Sequence, residues 1–141
     1  MKQIRSLFFL ALVLLATVAA VATAGCMSTT YTMEGKILLE DASQPFGTAP
    51  IYLELQDMTD PKSVVILDKM KISGDSKSHY SYEMVHEGYL NPKGIYTVSA
   101  WVDTNGDMQR NAGDYVSKPI HRLEANILEQ PFDIYVYPYT G

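Results

Sequence analysis

The sequence predicts an all-β domain, an antiparallel β-sandwich of about seven strands, behind an N-terminal signal segment. Three observations lead there. Apolar residues beyond residue 30 recur with a period of two, and short connectors rich in Pro, Gly, Asn and Asp separate the runs. Upstream, one uncharged apolar stretch stops at the single cysteine of the chain, Cys26. Side chains two apart on an extended chain share a face, whereas a helix repeats every 3.6 residues.

The signal segment comes first. Lys2 and Arg5 precede a run from Leu7 to Gly25 that carries no charge and is dominated by Leu, Phe, Val and Ala. Cations, an apolar stretch and then small residues form the pattern of a secretory signal. Ala22, Ala24 and Gly25 keep the backbone open to a peptidase. Thr23-Ala24-Gly25-Cys26 resembles the lipobox of bacterial lipoproteins, in which the cysteine is acylated and becomes the mature N-terminus. Thr23 stands where that pattern usually has Leu. Two other readings remain open: an uncleaved anchor, since roughly 20 apolar residues cross a bilayer, and a plain signal peptide cut nearby. A chain beginning at Cys26 keeps 116 residues and, without Lys2 and Arg5, has 9 basic against 16 acidic residues, a formal charge of −7. Such a surface disfavours phosphate backbones, so no nucleic-acid partner is expected. No second cysteine is present, so the domain is expected to stand on packing alone.

The divisions expected are therefore a lipoprotein signal peptide over 1–25, a short tether over 26–31 and a β-sandwich over 32–141. Met27, not Asp, follows the cysteine, which leans towards the outer membrane if the host has two. Expected partners are the membrane, through the lipid on Cys26, and other envelope proteins.

Strands follow in order. Ile51, Leu53 and Leu55 alternate with Tyr52, Glu54 and Gln56. Val64, Ile66, Met70 and Ile72 share one parity, which Asp68 breaks. Tyr80, Tyr82 and Met84 form the next face, then Tyr96, Val98, Ala100 and Val102, and finally Phe132, Ile134 and Val136. Tyr, Val and Ile suit a half-buried pleated surface. Gln44–Gly47, Asp60–Lys62, Ser73–Asp75 and Asn91–Gly94 read as turns. Glu87 to Asn91 has room for one helical turn. Tyrosine is abundant, at 10 residues; rings packed on the sheet with wet hydroxyls account for them better than a sugar-binding platform does. Trp101, with neighbouring tyrosines, is nonetheless the residue expected to bind a ligand if such a platform exists.

One cluster carries chemical content. From Asp103 as position 1, oxygen side chains fall at 1, 3, 5, 9 and 12: Asp103, Asn105, Asp107, Asn111 and Asp114, with Gln109 at the backbone-carbonyl position 7. Calcium takes six to eight oxygens from a loop of this kind, and a divalent ion relieves the repulsion among three carboxylates. The expectation is a weak Ca²⁺ site, the single cofactor suggested. Its glycine, however, sits at position 4 and its last acid is Asp. Against it stands a bare structural turn, since Asn-Gly favours hairpins and Arg110 and Lys118 are near in sequence to neutralise the acids. His79, His86 and His121 lack metal-ligand spacing and read as ordinary surface histidines. No nucleophile elbow and no phosphate-cradling glycine loop is visible, so no enzyme is expected.

Glu34-Gly35-Lys36-Ile37, Ile51 to Asp57, Tyr80 to Met84, Gly94 to Ala100 and the loop ending Gly113-Asp114-Tyr115 resemble, in order and spacing, the YbaY-type lipoproteins. Their domain is shared with the lipoprotein chaperones (pilotins) of type III secretion. The resemblance spans about residues 33 to 137 and implies a compact non-catalytic β-sandwich lipoprotein, an envelope binding or assembly module. A pilotin-like secretion chaperone is the alternative it implies, and a transthyretin-like or carbohydrate-binding module is the rival fold. A chaperone of this type depends on a cognate secretin, and no residue here matches a contact motif for one.

Overall fold

A computed structural model describes residues 29–40, 46–118, 123–125 and 128–141. The signal segment, Cys26 and His121 lie outside the described residues. Among the described residues there are eight strands: β1 (Thr30–Leu39), β2 (Ile51–Asp57), β3 (Val65–Ile72), β4 (His79–Glu87), β5 (Ile95–Val102), β6 (Tyr115–Ser117), β7 (Leu123–Glu124) and β8 (Ile134–Pro138). Among the described residues there is no α-helix, and none long and apolar enough to cross a membrane. The all-β class holds. β1 starts at Thr30, so Thr30 and Tyr31 are part of the sheet.

Alternation places each strand. Ile51, Leu53 and Leu55 are fully buried, and Tyr80, Tyr82, Met84, Tyr96, Val98, Ala100 and Val102 join them in one core with Met33, Ile37, Ile134 and Val136. The strands form one continuous sheet in the order β3-β2-β5-β6-β8-β1-β4, with β7 added on β5. All ladders are antiparallel except β1–β8, where Ile37 pairs with Ile134 and Leu39 with Val136 in parallel. The expected two-layer sandwich is thus a single sheet rolled almost into a barrel. The ladders run without a break that would divide it into two layers, and the right-handed twist of each pair accumulates into curvature. Its two end strands, β3 and β4, face each other across an open seam, where His86 Nδ1 meets Asp68 Oδ2 at 2.5 Å.

Three local differences from the sequence expectation have physical causes. The register between β2 and β3 shifts at Leu55/Gln56, so Leu55 faces Asp68 while Gln56 faces Ile66. This irregularity leaves Leu67 packed on the core and Val64 and Ile66 exposed. The helical turn foreseen over Glu87–Asn91 is absent. Gly88 N–H instead donates to Thr29 O at 2.9 Å, extending the β1–β4 ladder. The buried tyrosine hydroxyls are not left to water. Tyr82 donates to Phe132 O at 2.9 Å, Tyr96 donates to Asn91 O at 3.3 Å, and Tyr80 accepts from the N–H groups of Asp75 and Lys77.

Gly35 fills the inward phase of β1 between Met33 and Ile37 for a steric reason. A Cβ there would lie 1.8 Å from Phe132 O, because the chain entering β8 crosses directly over it. Phe132 N–H donates to Glu34 O at 3.0 Å, which holds that approach.

Candidate functional site

The acidic loop joins β5 to β6 at one end of the barrel. Asp103 directly follows β5 and is fully buried. Its Oδ1 accepts from Gly106 N–H at 2.8 Å and its Oδ2 from Met108 N–H at 3.0 Å. A buried carboxylate is tolerable when amides solvate it, and here they also fold the loop. Gly106 has φ +75°, a left-handed conformation that glycine adopts freely, which explains the glycine at the fourth position. Met108 adopts φ 61° without that freedom and is 71% exposed.

Asp114 closes the loop immediately before β6 and is also fully buried. Its Oδ1 accepts from Thr104 N–H at 2.9 Å, with the Thr104 hydroxyl at 3.0 Å. Its Oδ2 accepts from Asn111 N–H and from the Trp101 indole N–H, both at 3.1 Å. Burial pushes this carboxyl up, but the Thr104 and Asn111 amides, the Trp101 indole and the Thr104 hydroxyl outweigh it and hold the pKa below the usual carboxylate value. The Asp114 carbonyl accepts from Tyr139 N–H at 2.8 Å, so the same residue anchors the end of β8.

The remaining expected ligands gather outside. Asn105 Nδ2 lies 3.0 Å from Asp107 Oδ2 and 3.3 Å from Asn111 Oδ1, and Asn111 Nδ2 lies 2.7 Å from Asp107 Oδ2. Gln109 meets this group through its N–H, which donates to Asp107 Oδ1 at 2.8 Å. The six residues therefore divide into a buried pair, Asp103 and Asp114, and an outer cluster of exposed Asn105 and Asp107 and half-buried Asn111, with Gln109 beside it. Among the described residues no three His, Cys, Asp or Glu side chains converge as a metal-ligating group. The cations foreseen as neutralisers are used elsewhere. Arg110 reaches Glu54 Oε2 at 3.4 Å and lies 5.6 Å from the Trp101 ring, and Lys118 sits 3.8 Å above Tyr137.

Trp101 lies on the outer face of β5 opposite Tyr52 of β2, and the rings stack at 5.1 Å and 27°. Lys71 stands 5.6 Å from the other ring of this pair, so a cation flanks each end. A cleft of about 260 Å³ runs beside it, lined by Tyr52, Glu54, Lys69, Met70, Trp101 and Met108 among others. Glu54, with only 15% of its side chain exposed, is met there by Lys69 at 3.3 Å and by Gln56 at 2.9 Å.

His86 is the residue that sequence reading misjudged. It is 9% exposed, in phase with Tyr80, Tyr82 and Met84, and its ring stacks on Tyr31 at 6.4 Å. The signal was available: His86 continues the inward parity of β4, while Asp68 breaks the apolar parity of β3. Two polar residues in inward phase on the two end strands are partners across the seam.

No family model matches the chain, and no curated protein matches it. The fold is similar to that of an alternative pilotin from the type II secretion system of Vibrio cholerae. That likeness has a TM-score of 0.62 at 10% identity, covering 80% of this chain and 100% of that one.

Proposed function

We propose that the protein is a lipid-anchored envelope assembly factor of the pilotin type. The observation that carries this reading is the fold likeness to a type II secretion pilotin over the whole of that protein. The signal pattern ending at Cys26 supports it independently, because such a factor works from a membrane anchor. The chain acts by binding, with the rolled sheet as a rigid platform, and the lipid places it beside its client. Mass spectrometry of the mature N-terminus tests the anchor: an acylated Cys26 supports it, and an unmodified Cys26 or a start downstream of it overturns it. Capture of a secretion-system component of the envelope on the full chain tests the assembly role.

Calcium is a second reading of the acidic loop, favoured by one observation. Asn105, Asp107 and Asn111 converge, and rotating the two amides would turn their oxygens towards Asp107. Asp103 and Asp114 then shape the loop through their amide contacts. A rise in Tm on adding millimolar Ca²⁺ supports this reading, and no change at several millimolar leaves the loop as a structural turn. A small ligand in the cleft beside Trp101 is tested by glycan binding that is lost in Trp101→Ala.

A further inference from the structure

Among the described residues the sheet ends at two strands that have a neighbour on one side only: β3 pairs with β2, and β4 pairs with β1. Each leaves one row of main-chain N–H and C=O groups without a ladder, and such edges are templates for another strand. Both border the same seam. At the end nearer the β3–β4 loop the seam opens into a cavity of about 430 Å³ lined by Ile72, Asp75, Lys77, His79 and Tyr80 among others. Further along, the His86–Asp68 contact bridges it.

The core is incompletely covered along β3. Leu67, Met70 and Ile72 pack on the core but stay half-buried, whereas Ile51, Leu53 and Leu55 on the adjacent β2 are fully buried. Val65 and Ile66 add exposed apolar surface at 50% and 43%. The outward positions of β3 carry Lys69, which pairs with Glu54 at 3.3 Å, and Lys71, which stands over the Tyr52 ring; both stay exposed, on a chain of net negative charge.

We propose that β3 is a strand-acceptor edge. An extended segment of a partner polypeptide, with apolar and acidic residues alternating, adds to it within the seam. Main-chain bonding to β3 supplies affinity, and the alternation supplies specificity. Apolar residues turned inward cover Leu67, Met70 and Ile72, and acidic residues turned outward lie opposite Lys69 and Lys71. A second copy of this chain does not fit. Antiparallel β3–β3 pairing sets lysines among lysines, and a copy offering its acidic β4, with Glu83 and Glu87, would bring its own β3 into the same seam. A lone extended segment meets neither obstacle, and it takes its place between β3 and β4 by displacing the His86–Asp68 contact. This inference does not depend on which envelope system supplies the segment.

The test uses the full chain, ¹⁵N-labelled in detergent micelles, with a short acetylated peptide of alternating Val and Glu as the probe. Amide exchange along β3 should slow about tenfold on adding it, and a Val-Lys peptide should bind roughly tenfold more weakly. The Lys69→Glu/Lys71→Glu variant, altered only at exposed positions, should reverse that preference. The Val-Glu peptide N-methylated at alternate residues should not bind, since it cannot form the ladder. The proposal is overturned if no peptide protects β3, if the N-methylated peptide binds equally, or if β3 is protected by protein concentration alone.

Discussion

The indole N–H of Trp101 donates to Asp114 Oδ2 at 3.1 Å, tying the outer face of β5 to the residue that closes the acidic loop. Two features that look separate in sequence, an aromatic ligand platform and a cation loop, are one hydrogen-bonded unit. Asp114 fixes the ring that stacks on Tyr52, so disturbing the loop disturbs the aromatic cleft.

Asp114→Ala should therefore cost about 3 kcal/mol, because it leaves several buried donors without an acceptor. Tm should fall by about 10 °C, and Trp101 fluorescence should shift to the red. Asp114→Asn should fall between this variant and the wild type. Thermal melting followed by fluorescence checks both, and a loss below about 0.5 kcal/mol, the range of ordinary surface substitutions, would contradict the role assigned.

Acid should act through the same residue. Hydrogen bonding holds the folded-state pKa of Asp114 below its unfolded value, about 3.9. Its contribution to stability is thus complete above the unfolded value and is lost as pH falls through the folded one. The difference in Tm between wild type and Asp114→Asn should stay level from about pH 7 to pH 5 and narrow below about pH 4. A difference that narrows near neutrality would point to another group.

Gly35 and Gly106 separate steric from conformational demand. Gly35→Ala puts a methyl against Phe132 O, which accepts from the Tyr82 hydroxyl in a residue whose N–H donates to Glu34 O, and should cost at least about 3 kcal/mol. Gly106→Ala meets nothing within 4 Å and has only its φ of +75° to oppose it, so it should cost about 1 kcal/mol. Urea denaturation of both variants checks the order.

The strands were legible wherever one face is buried without interruption. Ile51/Leu53/Leu55 and Tyr96/Val98/Ala100/Val102 read correctly because period-two alternation records burial directly. The roll of the sheet did not, since the parallel β1–β8 pairing joins Ile37 to Ile134 across nearly the whole domain and leaves no local pattern. Leu67 was hidden by the register shift, which changes parity in mid-strand. In the acidic loop the spacing picked out six side chains, of which Asn105, Asp107 and Asn111 meet through amide-to-carboxylate and amide-to-amide contacts. It did not show that Asp103 and Asp114 turn inward onto amides, because N–H donors come from backbone geometry and not from residue type.

The seam has its own energetic signature. Asp68 keeps 40% of its side chain exposed, so water weakens the contact to His86 despite its short distance. A double-mutant cycle of His86→Ala and Asp68→Asn should give a coupling of about 1 kcal/mol. A value near zero would mean that packing alone holds the two end strands near each other.

The role proposed for the rolled sheet, envelope assembly from a lipid anchor on Cys26, has a direct test. Cross-linked capture from solubilised envelopes, using the lipidated full chain against a Cys26→Ser variant, addresses it most directly. The chain carrying its anchor should retain an envelope component of a secretion system, and the variant, lacking the anchor, should retain much less. Equal recovery with both forms, or recovery of no secretion component, would contradict it.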